Sequence, residues 1–235
     1  MTNLTAGGVI AAGRGSRLKG LGVPKPMVEV AGVPLIEHVL ENFQAAGIVS
    51  AAVIFNSAEE GCAAFVKERF GALVSRVVVK NTRSSLESFR EILDAAPKGR
   101  LLVSTVDAFC PRPAFLRFAR EAAATPSDTT VLGVTGFVED EKPLWVTTTR
   151  KGRVTVVGGA SGDAVTAGIY VIPDRVRRMR FPDSLPRLRD FLSWLCKSGE
   201  PMQAVAIEKV VDVDRAEDLE TAEELARAGA AARPR

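Results

Sequence analysis

The sequence predicts an α/β fold built on a mixed, mostly parallel sheet flanked by helices, and three observations predict it. Apolar runs of strand length alternate with amphipathic runs of helix length through the first half of the chain, the pattern of a parallel sheet covered on both faces. Apolar residues make up 46% and charged residues 25% of 235 residues, enough chain of ordinary globular composition for one sizeable core. No internal repeat and no linker rich in Gly, Ser or Pro divides it. Residues 1–228 therefore read as one domain, with halves at about 1–125 and 126–228, and the Ala/Arg tail 229–235 reads as frayed.

The elements follow in order. Gly7 to Ala12 is a short apolar strand ending in glycine. Leu35 to Ala46 places Leu35, Ile36, Val39, Leu40, Phe43 and Ala46 on one helical face, with Gly47 as its stop. Ala51 to Phe55 is a buried strand, and Ser57 with Glu60 reads as a capping box opening a helix. Val74 to Val79 is β-branched and strand-like, Leu86 to Leu93 is amphipathic, Leu101 to Thr105 is a further buried strand, and Pro111 to Ala124 is helical. The second half changes character. Thr129 to Thr135 is a strand; Leu144 to Thr149 and Arg153 to Val157 flank a Lys151-Gly152 turn and predict a hairpin; Ala167 to Ile172 is another strand. Helices are predicted at about 184–198 and 216–227, with strand candidates at Gln203 to Ile207 and Val210 to Val213.

Charge and composition exclude several function classes. Thirty-one basic against 28 acidic residues leave a net charge of +3, too small for a protein that coats nucleic acid, although a pI near 8.9 leaves room for local basic pockets. No run of about 18 apolar residues occurs, and the amino terminus lacks the pattern of a secretory signal. The three scattered cysteines form neither a disulfide framework nor a CxxC metal site, as in a reducing cytoplasm. His38 is the single histidine and falls on the apolar face of its helix.

The most informative stretch is Ala11-Ala12-Gly13-Arg14-Gly15-Ser16-Arg17, directly after the first strand. Small residues and glycines there bring backbone N–H groups close to an anion, and glycine permits positive φ. Arg14 and Arg17 add guanidinium forks, and Lys25 between Pro24 and Pro26 adds a point charge. The loop is no Walker A, because no Gly-Lys-Ser/Thr follows. It is a poor dinucleotide fingerprint, because Leu18 stands where a third small residue belongs.

This loop, then Pro24-Lys25, then Gly32-Val33-Pro34-Leu35-Ile36, closely resembles the amino-terminal signature of the NTP-transferase family, the nucleotidyltransferases of GT-A-like, Rossmannoid fold that act on sugar 1-phosphates, methylerythritol phosphate, phosphocholine and the molybdenum cofactor. The resemblance is strong over about the first 45 residues and patchy beyond. It implies transfer of a nucleoside monophosphate from an NTP to a phosphorylated small acceptor, with Mg2+ and release of pyrophosphate. In that reading residues 1–125 bind nucleotide and 126–228 form a small β-rich acceptor lobe. Ala11, Ala12, Gly13, Gly15, Ser16 and Arg17 would bind the nucleotide, and Arg14 and Lys25 would act on its phosphates.

The resemblance also places a metal-binding carboxylate at Asp107, which ends the apolar run from Leu101 at the carboxyl edge of a central strand, where open α/β sheets bind ligands. The second metal ligand falls in Val211-Asp212-Val213-Asp214, with Asp212 as ligand and Asp214 as helix cap or supporting group, the reverse assignment staying open. Ser84 and Ser85 are either base-reading hydroxyls or plain helix caps. Gly168, in an Ala-Gly-x-Tyr strand, would let an acceptor approach the backbone, and Lys142, Trp145 and the arginines 175, 177 and 178 are candidate acceptor contacts or solvated charges. A hydroxyl acceptor and a non-catalytic nucleotide-binding module remain alternatives; a glycosyltransferase is weakened because Ala108-Phe109 follows Asp107 and no Asp-x-Asp forms. The base, the acceptor and the oligomeric state, a homodimer included, stay open.

Overall fold

The structure is a computed structural model, which describes residues 4–13, 18, 22–138 and 142–231, apart from the side chains of residues 60, 230 and 231. At its centre lies a nine-stranded mixed sheet. Four strands from the first half run parallel in the order β6 (Leu101–Thr105), β1 (Ala6–Ala11), β4 (Ser50–Phe55) and β5 (Val74–Val79). The second half continues the same sheet beyond β6. There β11 (Ala164–Ile172) is antiparallel to β6, to β8 (Thr130–Thr135) and to β9 (Trp145–Thr148). The hairpin partner β10 (Val154–Val157) closes one end, and β12 (Met202–Ala206) pairs in parallel with β8.

Helices cover both faces. On one side α1 (Leu35–Ala45), α2 (Glu60–Phe70), α4 (Arg112–Ala124) and α7 (Ala216–Ala231) share a core with Phe43, Val66, Phe115 and Ala222. On the other, α3 (Ser85–Ala95), the short α5 (Asp174–Arg177) and α6 (Leu188–Lys197) bury Phe89, Val176 and Phe191. The glycines of β1 set this layering. A Cβ at Gly7 would stand 2.6 Å from the Phe43 ring, and one at Gly8 would stand 2.4 Å from Ile92. Glycine at both positions lets α1 and α3 close on opposite faces of the same strand.

Two small ribbons complete the fold: β2 (Glu29–Val30) with β3 (Val33–Pro34), and β7 (Ala108–Phe109) antiparallel to β13 (Val211–Asp212). The predicted hairpin forms as β9 and β10, with Gly152 at a φ of +76° in its turn. Among the described residues no helix is long and apolar enough to cross a membrane.

Two local expectations are corrected. Ser57 does not cap α2. Asn56 Oδ1 accepts from the Ala58 amide at 3.0 Å, while Ser57 pairs with the Asn81 side chain, so an Asn-initiated turn replaces the capping box. The helix expected at about 184–198 begins only at Leu188, because Pro186 disfavours helical backbone at Leu185. Of the tail 229–235, residues 229–231 belong to α7, and 232–235 lie outside the described residues.

Candidate active site

The site is assembled at the carboxyl edge of the parallel strands. Asp107 follows β6 in a tight turn, and its backbone carbonyl accepts two amides, from Phe109 at 2.8 Å and Val213 at 3.0 Å. The second of these bonds, with the β7–β13 ladder pairing Asp212 opposite Ala108, ties the end of the chain to the end of β6. Asp107, Asp212 and Asp214 thereby converge, although more than a hundred residues separate the first from the others. One carboxylate oxygen from each lies within 4.8 Å of the others.

Asp214 is not the cap of α7. Asp218 supplies that cap, its Oδ2 accepting from the amides of Asp214 at 2.9 Å and Arg215 at 2.8 Å, while the Asp214 carboxylate turns to Lys25. Lys25 stands at the start of a single 3-10 turn, Lys25–Met27, fixed between two prolines. Its side chain is 5% exposed, and its Nζ donates to Asp107 at 2.7 Å and to Asp214. Burial alone would drive the ammonium toward neutrality, but the charges of Asp107 and Asp214 outweigh it and hold the lysine pKa above its ordinary value. Lys25 in turn holds the Asp107 carboxyl below the usual range against an opposing burial effect. Among the described residues, then, a buried cation knits two of the three acids together.

In front of these acids opens a cavity of about 310 Å3. Its walls join both halves of the chain: Thr105 and Asp107 from the β6 edge, Gly168 and Tyr170 from β11, Asp212 and Asp214 from the late ribbon. A match to the family described as the MobA-like NTP transferase domain spans residues 7–177, from β1 to the end of α5. The chain belongs to this NTP-transferase family. It is also 30% identical over 115 residues to a 2-aminoethylphosphonate cytidylyltransferase of Lancefieldella rimae, a stretch covering 45% of this chain and 46% of that relative, so the chain spans under half the relative's length. Two solved structures share the fold. The inositol-1-phosphate CTP transferase of T. maritima superposes with a TM-score of 0.84 at 18% identity over 100% of both chains. A UDP-glucose pyrophosphorylase complexed with UDP-glucose gives 0.74 at 14% identity, covering 94% of this chain and 98% of that one.

The remaining candidates of this NTP transferase domain fall as follows. Ala11 ends β1 and is buried with Ala12; Gly13 is exposed, and among the described residues beyond its chain neighbours no atom lies within 4 Å of where a Cβ would stand. Arg14, Gly15, Ser16 and Arg17 lie outside the described residues. Ser84 caps α3, accepting from the Glu87 amide at 3.2 Å. Ser85 lines the cavity, and its Oγ accepts from the Leu188 amide at 3.1 Å, pinning α3 to α6.

Gly168 has a φ of +71° at the point where the β8–β11 register shifts. A Cβ there would lie 2.6 Å from Thr105 Oγ1 and 2.9 Å from Ala108 Cβ, so the close approach this glycine permits is to the Asp107 turn itself. Pro143 and Leu144, between Lys142 and Trp145, are the residues that reach the cavity wall. Arg177 donates to the carbonyls of Leu93, Ala96, Pro97 and Gly99, an end-cap for α3. Arg175 pairs with Glu200 and Arg178 with Asp174, both away from the cavity. His38 Nε2 bonds the Val30 carbonyl at 2.8 Å and its ring meets Phe109 edge-on, a structural role.

Sequence reasoning missed Tyr170, Arg189 and Asp218. Tyr170 lies two residues past Gly168 on the cavity wall; burial first, then the charges of Asp107 and Asp212, push its pKa up to about 12. Nothing local in the sequence marks Arg189, whose place on the cavity comes from the packing of α6 on α3. Asp218 was legible, since an acid at the third helical position after an extended Asp-Arg is the second half of a capping box.

Proposed function

We propose that this chain transfers a nucleoside monophosphate from an NTP to a small phosphate- or phosphonate-bearing acceptor, releasing pyrophosphate. The observation that carries this reading is the convergence of Asp107, Asp212 and Asp214 at the mouth of a 310 Å3 cavity beside the end of β1. Family membership and the named activities of the similar proteins, a cytidylyltransferase and a CTP transferase among them, support the same reaction class.

Three carboxylates within 4.8 Å of one another form an all-oxygen donor set suited to a hard divalent cation. Asp107 and Asp212 would hold Mg2+, with Asp214 beside them. Bound there, the ion would neutralise negative charge on the phosphate oxygens. The backbone after β1, Ala11 to Gly13 and on through Gly15, Ser16 and Arg17, would receive the NTP phosphates, with Arg14 and Lys25 supplying positive charge to them. Gly168 and the segment around Lys142 and Trp145 would border the acceptor.

In the reaction, an oxygen of the acceptor's phosphate or phosphonate bonds to the α-phosphorus. The bond from that phosphorus to the bridging oxygen breaks, and pyrophosphate leaves with the electron pair. The attacking oxygen is already ionised at neutral pH, so no protein base has to remove a proton. The chain's contribution is then positioning and fixed charge.

The test is pyrophosphate release from each of the four NTPs with Mg2+ and a panel of phosphate and phosphonate acceptors. One productive pair is expected. Nucleotide binding with no release across the panel would leave a non-catalytic nucleotide-binding module instead.

A further inference from the structure

Two arginines line the cavity among the described residues, Arg189 and Arg215, and the transfer reading uses neither. Arg189, on the first turn of α6, lines the wall. Its Nη2 donates at 2.6 Å to the backbone carbonyl of Lys142, a neutral partner. Among the described residues no carboxylate lies within ion-pair distance of it, whereas Arg175, Arg178 and Arg187 on the same side of the fold each have one. A guanidinium on a cavity wall, held by a carbonyl and with no carboxylate of the described residues at ion-pair distance, is suited to receive an anion. Tyr170 and the acids Asp107 and Asp212 line the same cavity as Arg189.

The rest of the wall says what the anion is attached to. Two of its hydroxyls already accept backbone amides, Ser85 from Leu188 and Thr135 from Phe137. No Asn, Gln, Glu, His or Lys lines the cavity among the described residues. Phe137, Pro143, Leu144, Val165 and Leu188 give the wall a hydrocarbon share. Polyol hydroxyls set against that share would give up water without a replacement partner.

We propose that Arg189 anchors the anionic head of the acceptor, and that this head is a phosphate or phosphonate carried on a short, largely aliphatic body. The substrate class rests on the transfer reading above; the anion site does not.

The experiment separates the two. Phosphorylethanolamine and glucose 1-phosphate are titrated calorimetrically into the full chain with Mg2+ and the α,β-methylene analogue of each NTP, and pyrophosphate release is assayed in parallel with the natural NTPs. The short phosphate is expected to bind at least about tenfold tighter than the sugar phosphate. Arg189→Gln keeps a donor for the Lys142 carbonyl but loses the charge. It is expected to weaken phosphorylethanolamine about 10- to 100-fold while the nucleotide analogue binds as before, and Arg189→Lys is expected to recover part of the loss. An unchanged thermal midpoint in both variants excludes a folding effect. Equal binding in Arg189→Gln, tighter binding of glucose 1-phosphate, or no binding of the short phosphate would each overturn the proposal. Arg189-dependent binding without pyrophosphate release from any NTP would leave the anchor standing and remove the transfer reading.

Discussion

The acids of the site come from two regions held in different ways. Asp107 extends a central strand, and its turn is braced by two backbone hydrogen bonds and by the bend of β11 at Gly168. Asp212 and Asp214 belong to a late segment that alternates buried valines, Val211 and Val213, with its acids, and that joins the Asp107 turn through a two-residue ladder and one carbonyl bond. The first region is fixed by the buried core of the parallel sheet. The second shares the core through its valines, but its Asp212 side chain is exposed. The site is therefore unequal: damage to the central side should abolish function outright, and damage to the late side should loosen it.

The largest expected effect is at Asp107. Asp107→Asn keeps the shape and hydrogen-bonding capacity of the turn but removes the charge that faces both Lys25 and the other acids. A fall in transfer rate of roughly 10^2–10^3-fold is expected, the scale for losing one preorganised electrostatic contact. Asp212→Asn should cost less at saturating Mg2+, showing instead a raised Mg2+ requirement. Equal losses in the two variants at all Mg2+ concentrations would erase the distinction between the regions.

Lys25 joins the two sides, since its ammonium donates to both Asp107 and Asp214. Lys25→Met removes the ammonium that Asp107 and Asp214 share. Transfer should fall about 100-fold, and stability without metal should drop by about 2 kcal/mol, less than for a fully buried pair because Asp214 is partly exposed. Millimolar Mg2+ should return most of that stability, because another cation then stands among the acids. Chemical denaturation with and without Mg2+ reads this directly. A Lys25→Met chain as stable as the parent without metal would show that the ion pair does not hold the two regions together.

The same inequality decided what the sequence could reveal. The parallel half was legible because each element carries its own signal: β-branched runs for β5, a clean 3.6 period for α1, a strand-then-glycine turn after β1. Asp107 was legible because its position at a strand end needs only the strand. The convergence of Asp212 with Asp107 came from family resemblance, since nothing in the spacing of residues so far apart specifies the β7–β13 ladder. Arg189 was not legible, because its role depends on which face α6 turns to α3. Two roles stayed open for Asp214, helix cap or supporting group, because each needs only a carboxylate before α7. Asp218 accepts the amides of Asp214 and Arg215, and the Asp214 carboxylate turns to Lys25, a contact 189 residues away in sequence.

Glu59 tests the central side from another direction. It follows β4, is 6% exposed, and its Oε2 has no hydrogen-bond partner. Burial, opposed by hydrogen bonds from Asn56, pushes its pKa from 4.5 up to about 7. Between those values the folded chain keeps a proton that the unfolded chain has released. Stability should therefore fall as pH rises from about 4.5 to 7 and stay reduced above it. Glu59→Gln removes this dependence and should stabilise the chain at pH 8 relative to the parent by about 2 kcal/mol, with little benefit at pH 4.5. Urea unfolding at the two pH values measures the difference. A benefit that does not change with pH would mean that the carboxyl is solvated.

The smallest effect should come from Asp218, and it most directly probes how the late segment is held. Its Oδ2 accepts from the amides of Asp214 and Arg215, closing the first turn of α7 and fixing the backbone that carries the Asp214 carboxylate. Asp218→Ala leaves both amides to solvent and should cost about 1 kcal/mol, the usual scale for a lost cap. Asp218→Asn retains an acceptor oxygen and should cost less. If the late region is positioned by this cap, Asp218→Ala should also weaken Mn2+ binding, followed as loss of the free-ion EPR signal, while Asp218→Asn stays near the parent. Stability lost with no change in Mn2+ affinity would assign the positioning of Asp212 and Asp214 to the β7–β13 ladder and the buried valines that flank them.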